Sequence, residues 1–250
     1  MIDIHGLARH CDILLAAADF NDYCPNGLQV EGGRPVRRLI TGVTASQALI
    51  DATVAAGGDA LLVHHGFFWK GEDLRVIGMK ARRIGALLRA GVSLLAYHLP
   101  LDAHPELGNN RRLGDLLGVV RASAGGDGDV PVWTGRLPEA LDGADLAARV
   151  GALLGRSPLH VAAAGRPVTR LAWCTGAAQG FIEEAAALGA DCYLSGEISE
   201  QTVHQARELG IDYLAAGHHA TERYGVQALG ERLAAELDLE HRFIDIDNPA

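Results

Sequence analysis

Short apolar runs alternate with helix-forming stretches along this chain, and that alternation limits the fold more than any other feature. Residues 38–43, 59–63 and 92–97 are such runs, each of a length typical of a buried strand. A stretch capped by Ser46 joins the first two runs, and a helix-like stretch over about residues 80–90 joins the second and third. Units of this kind pair their strands in parallel with a right-handed crossover, so the sequence predicts an α/β fold.

The second half of the chain repeats this order. Residues 170–218 match residues 38–98 as a strand followed by Thr-Gly, a helix, a second strand, a further helix and a third strand. Such a repeat indicates duplicated units, although two common strand–helix–strand units can also match by coincidence. We predict two related, three-layered α/β domains with mainly parallel sheets, and a metal site in a cleft at the C-terminal ends of the strands.

A polar, glycine-rich stretch at residues 122–130 is typical of a flexible linker. It predicts an N-terminal domain at residues 1–122 and a C-terminal domain at residues 127–250, with a tail able to pack back on the first domain. A chain of 250 residues has room for two such domains.

Charge and composition exclude several classes of protein. The formal net charge of −9 makes nucleic-acid binding unfavourable, because phosphate backbones are held mostly by clusters of Lys and Arg. No apolar run approaches the roughly 20 residues of a membrane span, and residues 1–5 lack the basic start of a signal peptide. We therefore expect a soluble, cytoplasmic protein that acts on a small molecule.

The four cysteines form no C-x-x-C pair, which favours reduced, buried thiols over a thiolate zinc site.

Two adjacent histidines, His64 and His65, follow the apolar run at residues 59–63. Ligands of open α/β sheets bind outside the C-terminal ends of the strands, and imidazole is the commonest metal ligand among side chains. Neighbouring residues of a strand point to opposite sides, so this pair needs either two ions or a turn at Gly66 to bind metal. The alternative is that the two side chains only satisfy backbone carbonyls at the end of the strand.

Two further strand ends carry residues that bind metals. His98 and Asp102 follow the strand that ends near residue 97, and His218 and Glu222 follow the last strand of the repeat. His218 and Glu222 are four residues apart, so they share one face if a helix begins near His218. Mixed imidazole and carboxylate ligands suit zinc, iron or manganese.

Several motifs of this chain resemble those of the dinuclear-metal-centre hexameric proteins, a family widely known as type 2 GTP cyclohydrolase I homologues. These motifs lie at residues 22–32, 41–46, 64–66, 98–104 and 217–223, and the resemblance covers essentially the whole chain. It implies that two divalent metal ions per subunit are held by His64, His65, Asp102, His218 and Glu222. It also implies a homohexamer, a toroid in which the metals face an internal cavity.

Two classes of function fit these features. The first is a dinuclear metal-dependent hydrolase, GTP cyclohydrolase-like, that acts through a metal-activated water. His98 and His104, which the metals leave unclaimed, are then the predicted catalytic proton carriers. The second is a non-catalytic metal-binding ring scaffold, or a metal storage or chaperone protein. The chain has no G-x-x-x-x-G-K-[ST] loop, so a triphosphate would need metals, scattered Arg and Lys, or helix N-termini to hold it.

Overall fold

The computed structural model describes residues 1–125 and 131–250, which divide into two units by their contacts. The first unit contains residues 1–108 and 225–247, and the second contains residues 109–224 and 248–250.

The division differs from the predicted linker at residues 122–130. Val120–Gly125 form a strand that pairs with Val132–Leu141, so the first part of that stretch belongs to a sheet. The remainder, residues 126–130, lies outside the described residues. A polar, glycine-rich composition therefore marked an edge strand here, because an edge strand with exposed side chains has little apolar surface to bury.

The strands, in chain order, are β1 (Gly27–Val30), β2 (Arg38–Thr44), β3 (Ala60–His65), β4 (Ser93–Ala96), β5 (Val120–Gly125), β6 (Val132–Leu141), β7 (Leu159–Val161), β8 (Val168–Trp173), β9 (Cys192–Ser195), β10 (Asp212–Ala215) and β11 (Glu240–Phe243). The α-helices are α1 (Ile4–Leu14), α2 (Gln47–Ala55), α3 (Gly78–Ala90), α4 (Leu99–Ala103), α5 (Asn109–Leu116), α6 (Gly143–Leu154), α7 (Ile182–Ala187), α8 (Glu200–Leu209), α9 (His218–Thr221) and α10 (Arg223–Leu237).

The first sheet has the order β1-β4-β3-β2-β11. Strands β4, β3, β2 and β11 are parallel, and β1 is antiparallel to β4 at one edge. The chain returns to this sheet near its C-terminus, where Glu240 pairs with Arg38. The predicted parallel units are confirmed here, and Ser46 caps α2 by accepting a hydrogen bond from Leu49 N at 3.2 Å.

The second sheet has the order β5-β6-β8-β9-β10-β7. Its centre, β8, β9 and β10, is parallel, whereas the pairs β5–β6, β6–β8 and β10–β7 are antiparallel. The α/β fold class is confirmed, and both sheets are mixed. The expectation of mainly parallel sheets is correct for the first sheet, where β11 adds a parallel strand to the repeated segment. It is wrong for the second sheet, where only the repeated segment is parallel and the strands added at its edges are antiparallel.

Alternate residues of the parallel strands face two separate apolar layers in the first unit. Leu39, Leu62 and Leu95 pack with buried residues of α1 and α10, while Ile40 and Leu61 pack with residues of α2 and α3. Helices therefore cover both faces of the sheet, as the two-residue period of a strand requires.

The second unit has the same three layers. Leu171 and Leu194 pack with buried residues of α5 and α6, while Ala172 and Tyr193 pack with residues of α7 and α8. Each unit thus carries one strand–helix–strand–helix–strand run between two helical layers, which agrees with the predicted repeat.

The repeat extends to a matched pair of aspartates. Asp59 Oδ2 accepts hydrogen bonds from the backbone N–H groups of Arg37 and Arg38 at 3.0 and 2.9 Å. Asp191 Oδ2 accepts from Thr169 N and Arg170 N at 3.0 and 2.9 Å. Each carboxylate therefore anchors the start of the neighbouring strand in its own unit.

Across the described ranges, no helix combines the length and apolar character that crossing a membrane requires.

Candidate metal centre

His64 and His65 end β3, the central strand of the first sheet. Their ring centroids lie 4.5 Å apart, and one ligand atom of each lies within 4.8 Å of a ligand atom of His98. The strand runs through His65, so no turn lies between the two histidines. Of the two arrangements expected from the sequence, binding of separate ions by His64 and His65 therefore stays a prediction.

The hydrogen bond of His64 decides which ring nitrogen could bind a metal. His64 is fully buried, and its Nδ1 lies 2.9 Å from the backbone oxygen of Tyr97. A carbonyl oxygen can only accept, so Nδ1 carries the proton and Nε2 of the neutral ring keeps its lone pair. That Nε2 lies 3.5 Å from Asp102 Oδ1 in the short helix α4. His65 Nδ1 lies 3.2 Å from Thr44 Oγ1, a hydroxyl that can donate or accept.

Asp22 orients His98 in the same manner. Its Oδ1 lies 2.7 Å from His98 Nδ1, and the carboxylate is buried. Burial would raise the pKa of Asp22, but hydrogen bonds from His98 and Asn26 outweigh burial and lower this pKa to about 2. The carboxylate is therefore charged at neutral pH, and it fixes the His98 proton on Nδ1 while Nε2 remains available.

Asp22, Cys24 and His98 also lie close enough together to be considered as a metal site. Both carboxylate oxygens of Asp22 are already occupied, since they accept from Tyr23 N, Asn26 Nδ2 and Leu99 N as well as from His98. Burial raises the pKa of the Cys24 thiol to about 12, and Asp22 contributes to the rise, so no thiolate forms at neutral pH. This group is better described as the support of His98 than as a separate site.

His104 does not join a metal-binding group among the described residues. Its Nδ1 accepts hydrogen bonds from the backbone N–H groups of Glu106 and Leu107 at 3.2 and 3.0 Å. Burial lowers the pKa of His104, which favours the neutral ring that this acceptor role requires. These contacts indicate that His104 stabilises its own loop, and its predicted catalytic role stays a prediction.

The second unit places His218 and Glu222 together after β10. Helix α9 begins at His218, as the i, i+4 argument required, and His218 Nε2 lies 3.2 Å from Glu222 Oε2. The other nitrogen, Nδ1, lies 2.7 Å from Glu197 Oε1. Burial lowers the pKa of His218, but the two carboxylates outweigh it and raise this pKa to about 9. Without metal, the ring is therefore a cation between two carboxylates.

Gly176 leaves the space that the Glu222 carboxylate occupies. It follows β8 in the predicted Thr-Gly position and has a φ of +67°. A Cβ atom on Gly176 would lie 2.1 Å from Glu222 Oε1 and 3.3 Å from His218 Nε2. Because no side chain fits there, glycine at this position is part of the site.

Within each unit, taken by itself, the residues fit the binding of a divalent transition metal ion. The first unit gathers three imidazoles and one carboxylate, and in two of the imidazoles Nδ1 donates to an oxygen that can only accept. The second unit pairs an imidazole with a buried carboxylate, and a second carboxylate supports the imidazole. Histidine ligands in metalloproteins usually donate their other N–H to a carboxylate or carbonyl in this way.

Sequence reasoning selected His64, His65, His98, Asp102, His218 and Glu222, and the structure groups the first four in one unit and the last two in the other. Sequence reasoning did not assign roles to Asp22 and Glu197. Asp22 lies in one of the resembling motifs, and Glu197 lies at the repeat position that matches His65, so both carried a signal.

Comparison with known proteins finds relatives over the whole length of this chain. The family model described as Duf34/NIF3 (NGG1p interacting factor 3) matches residues 2–249. A protein of Allochromatium vinosum named GTP cyclohydrolase 1 type 2 homolog is 57% identical over 250 residues, which cover 100% of this chain and 98% of that protein. A protein of the same name from Pseudomonas aeruginosa is 57% identical over 251 residues and covers 100% and 99%.

Solved structures show the same fold over the full length. A protein named ybgI, described as of unknown function, superposes with a TM-score of 0.95 at 49% identity and covers 100% of both chains. TTHA1606 from Thermus thermophilus superposes with a TM-score of 0.91 at 35% identity, again over 100% of both chains. The resemblance inferred from the motifs is confirmed, and this chain belongs to the Duf34/NIF3 family.

Proposed function

We propose that this protein is a metal-dependent hydrolase, GTP cyclohydrolase-like, that directs a water at a small-molecule substrate. The observation that carries the proposal is the cluster of His64, His65 and His98 at the end of β3, with ligand atoms within 4.8 Å of one another. Family membership supports it, because relatives 57% identical over the whole chain are named GTP cyclohydrolase 1 type 2 homolog.

The proposed ligands are His64, His65 and Asp102 from the first unit and His218 and Glu222 from the second. Five nitrogen and oxygen ligands are too many for one closed tetrahedral site and suit two ions with open positions, drawn from zinc, iron or manganese. When bound, such ions supply Lewis-acid chemistry and can lower the pKa of a coordinated water from about 15.7 towards 7.

His98 is the proposed proton carrier. Its Nδ1 proton is held by Asp22 at 2.7 Å, so Nε2 is the nitrogen that can accept a proton and later donate it. The Asp22 carboxylate stabilises the imidazolium that forms after the first transfer, since it is charged and buried beside the ring. A carboxylate-supported histidine of this kind can serve as the base that activates water and as the acid that protonates a ring nitrogen of the substrate.

Metal analysis of protein purified without added metal, followed by a screen for hydrolysis of phosphoesters, nucleotides and pterin precursors, tests the proposal. We expect about two divalent ions per subunit and turnover of a substrate in the screen. His64→Ala should lose metal and turnover together. His98→Ala should keep its metal and lose turnover by about 100-fold or more. His204→Ala, on an exposed position of α8, is the matched control and should change neither.

The outcomes separate the alternatives. Metal in the wild type with no turnover in any assay would favour the non-catalytic metal-binding scaffold or storage protein. A stoichiometry of one or zero, in protein never exposed to chelator, would contradict the dinuclear site. Loss of metal in His98→Ala would make His98 a ligand instead of a proton carrier.

A further inference from the structure

Trp69 lies beside the histidine cluster within the first unit. Its ring centroid is 5.0 Å from that of His98, with the two planes nearly perpendicular, and 5.9 Å from that of His65. The indole is half-buried, whereas the other two tryptophans, Trp133 and Trp173, are buried in the second unit. Part of a large aromatic surface is therefore exposed next to residues of the candidate metal centre.

We call the segment that carries this ring, residues 66–72, the aromatic loop, and four of its hydrogen bonds involve backbone groups. Gln29 Oε1 accepts from Phe67 N at 2.7 Å, and Gln29 Nε2 donates to the Phe67 carbonyl oxygen at 3.2 Å. Lys70 N donates to Tyr23 O at 2.6 Å, and Trp69 N donates to Glu72 Oε2 at 3.2 Å. The loop is thus preorganised, which reduces the conformational entropy lost when a ligand binds.

The aromatic loop has a strained backbone at Phe68, the residue between the buried Phe67 and Trp69. Phe68 has a φ of +66°, a conformation that costs a non-glycine residue free energy and is concentrated at functional sites. Phe67, just before it, is buried in the core, and the Phe68 ring packs edge-on against it at 6.2 Å. The left-handed residue lets the two phenylalanines pack inward while Trp69 extends to His65 and His98.

Two cationic side chains near the aromatic loop are already paired. Lys80 Nζ lies 3.1 Å from Glu72 Oε1, and Arg75 Nη2 lies 2.7 Å from Asp73 Oδ2. A phosphate group would have to displace these carboxylates before it could bind either cation. We therefore base the ligand class on the exposed aromatic surface of Trp69, which adjoins His65 and His98.

We propose that Trp69 is a stacking wall for a planar heteroaromatic ring of the substrate, which places the edge of that ring towards His65 and His98. The inference rests on the proposed function and names its substrate class: molecules recognised by their ring, such as purines and pterins, more than by sugar or phosphate. Stacking on an aromatic side chain tolerates different rings, because every heteroaromatic ring has a π-face.

Fluorescence titration and calorimetry of the full-length, metal-containing protein test the proposal with guanosine, pterin and ribose 5-phosphate as probes. Guanosine and pterin should bind and quench tryptophan emission, and ribose 5-phosphate should bind at least 10-fold more weakly. Trp69→Leu should weaken binding of both ring compounds by about 10-fold or more and abolish the quenching, with metal content unchanged. Trp69→Phe, which keeps an aromatic face, should retain most of the affinity. Trp133→Phe is the matched control and should retain both binding and quenching.

Equal affinity of Trp69→Leu and wild type for guanosine and pterin would overturn the proposal, and so would equal affinity of the wild type for all three probes. Failure of the hydrolase proposal has a different signature. In that case the ring compounds bind through Trp69, but the metal-containing protein turns over none of the substrates in the screen.

Discussion

In each unit, a candidate site histidine forms a hydrogen bond between one ring nitrogen and an acceptor of the same unit. Tyr97 O holds His64, Asp22 holds His98, and Glu197 holds His218. These acceptors decide which nitrogen is available and in which direction it points. Their replacement should therefore change metal affinity or proton transfer without removing a ligand.

Glu197→Ala tests this at His218. We expect metal affinity to fall by about 10- to 100-fold, because the ring loses the partner that fixes its orientation and increases its basicity. Glu197→Gln keeps an acceptor oxygen and should give a smaller loss. Metal competition with a chromogenic chelator measures the change, and Glu200→Ala, at a nearby exposed acid, is the control. Unchanged affinity in Glu197→Ala would show that the contact at 2.7 Å does not support a metal ligand.

His104→Ala separates a ligand or catalytic role from a structural one. Removal of the ring leaves two backbone N–H groups without their acceptor, so we expect a loss of about 1–2 kcal/mol in the free energy of unfolding, with full metal content. His104→Asn, whose amide oxygen can accept, should recover part of that loss. Denaturant unfolding and metal analysis are the measurements. Turnover of the same variant tests the predicted catalytic role, and loss of metal would place His104 in the ligand set.

Gly176, which follows β8, leaves the space that the Glu222 carboxylate occupies. Gly176→Ala should force the Glu222 carboxylate out of its position, since the new methyl group would lie 2.1 Å from Oε1 and the backbone has a φ of +67°. We expect reduced metal content together with some loss of stability. Gly180→Ala is the matched control, because a Cβ atom there meets nothing within 4 Å. Normal metal content in Gly176→Ala would contradict the role of Glu222.

The aspartates at the start of the second strand in each repeat should contribute to stability. Asp191 accepts hydrogen bonds from Thr169 N, the Thr169 hydroxyl and Arg170 N. Asp191→Ala leaves those donors unpaired and should cost about 1–3 kcal/mol in the free energy of unfolding. Asp59→Ala removes the equivalent contacts in the first unit and should have an effect of similar size. No measurable loss in either variant would contradict the anchoring role.

The contribution of Asp191 should also depend on pH. Burial alone would raise the pKa of this carboxyl, but the hydrogen bonds outweigh burial and lower the pKa below its ordinary value of 3.8. A carboxylate whose pKa is lowered on folding stabilises the protein above the unfolded-state pKa, and the contribution is lost as the pH falls through the folded-state pKa. The difference in stability between wild type and Asp191→Ala should therefore be full at about pH 6 and shrink below about pH 4.

The family resemblance implies a closed homohexamer, which stays a prediction, and exposed apolar side chains suggest where subunits could meet. Large apolar side chains are exposed around the start of α3, where Leu74 is 81% exposed and Ile77 and Met79 are each 57% exposed. Contiguous exposed apolar surface often marks an interface between subunits. Sedimentation velocity and native mass spectrometry should give six subunits with about two ions each, and a monomer at micromolar concentration would contradict the ring. Ile77→Lys combined with Met79→Lys should weaken assembly, whereas Ile13→Lys, at a position 82% exposed on α1, should not.

Local pattern was enough to predict much of this protein. The α/β class, the repeated units and the position of His64, His98 and His218 at or just after strand ends follow from short-range periodicity and capping residues, which depend on neighbours along the chain. The family followed from motifs that are themselves short. Residues 122–125 of the predicted linker belong to an edge strand instead, because exposed polar residues are shared by linkers and edge strands.

Contacts between residues far apart in the chain were decided only by the tertiary structure. Glu240 pairs with Arg38 across about 200 residues, so the first sheet is completed by the end of the chain. Asp22 reaches His98, and Trp69 reaches both His65 and His98, through turns whose direction no local period encodes. Even the convergence of the adjacent rings of His64 and His65 depends on partners from the two flanking segments, Thr44 and Tyr97. The sequence determined which residues could bind metal, and packing determined which ring nitrogen of His64 and of His98 is held by a hydrogen bond and which could bind an ion.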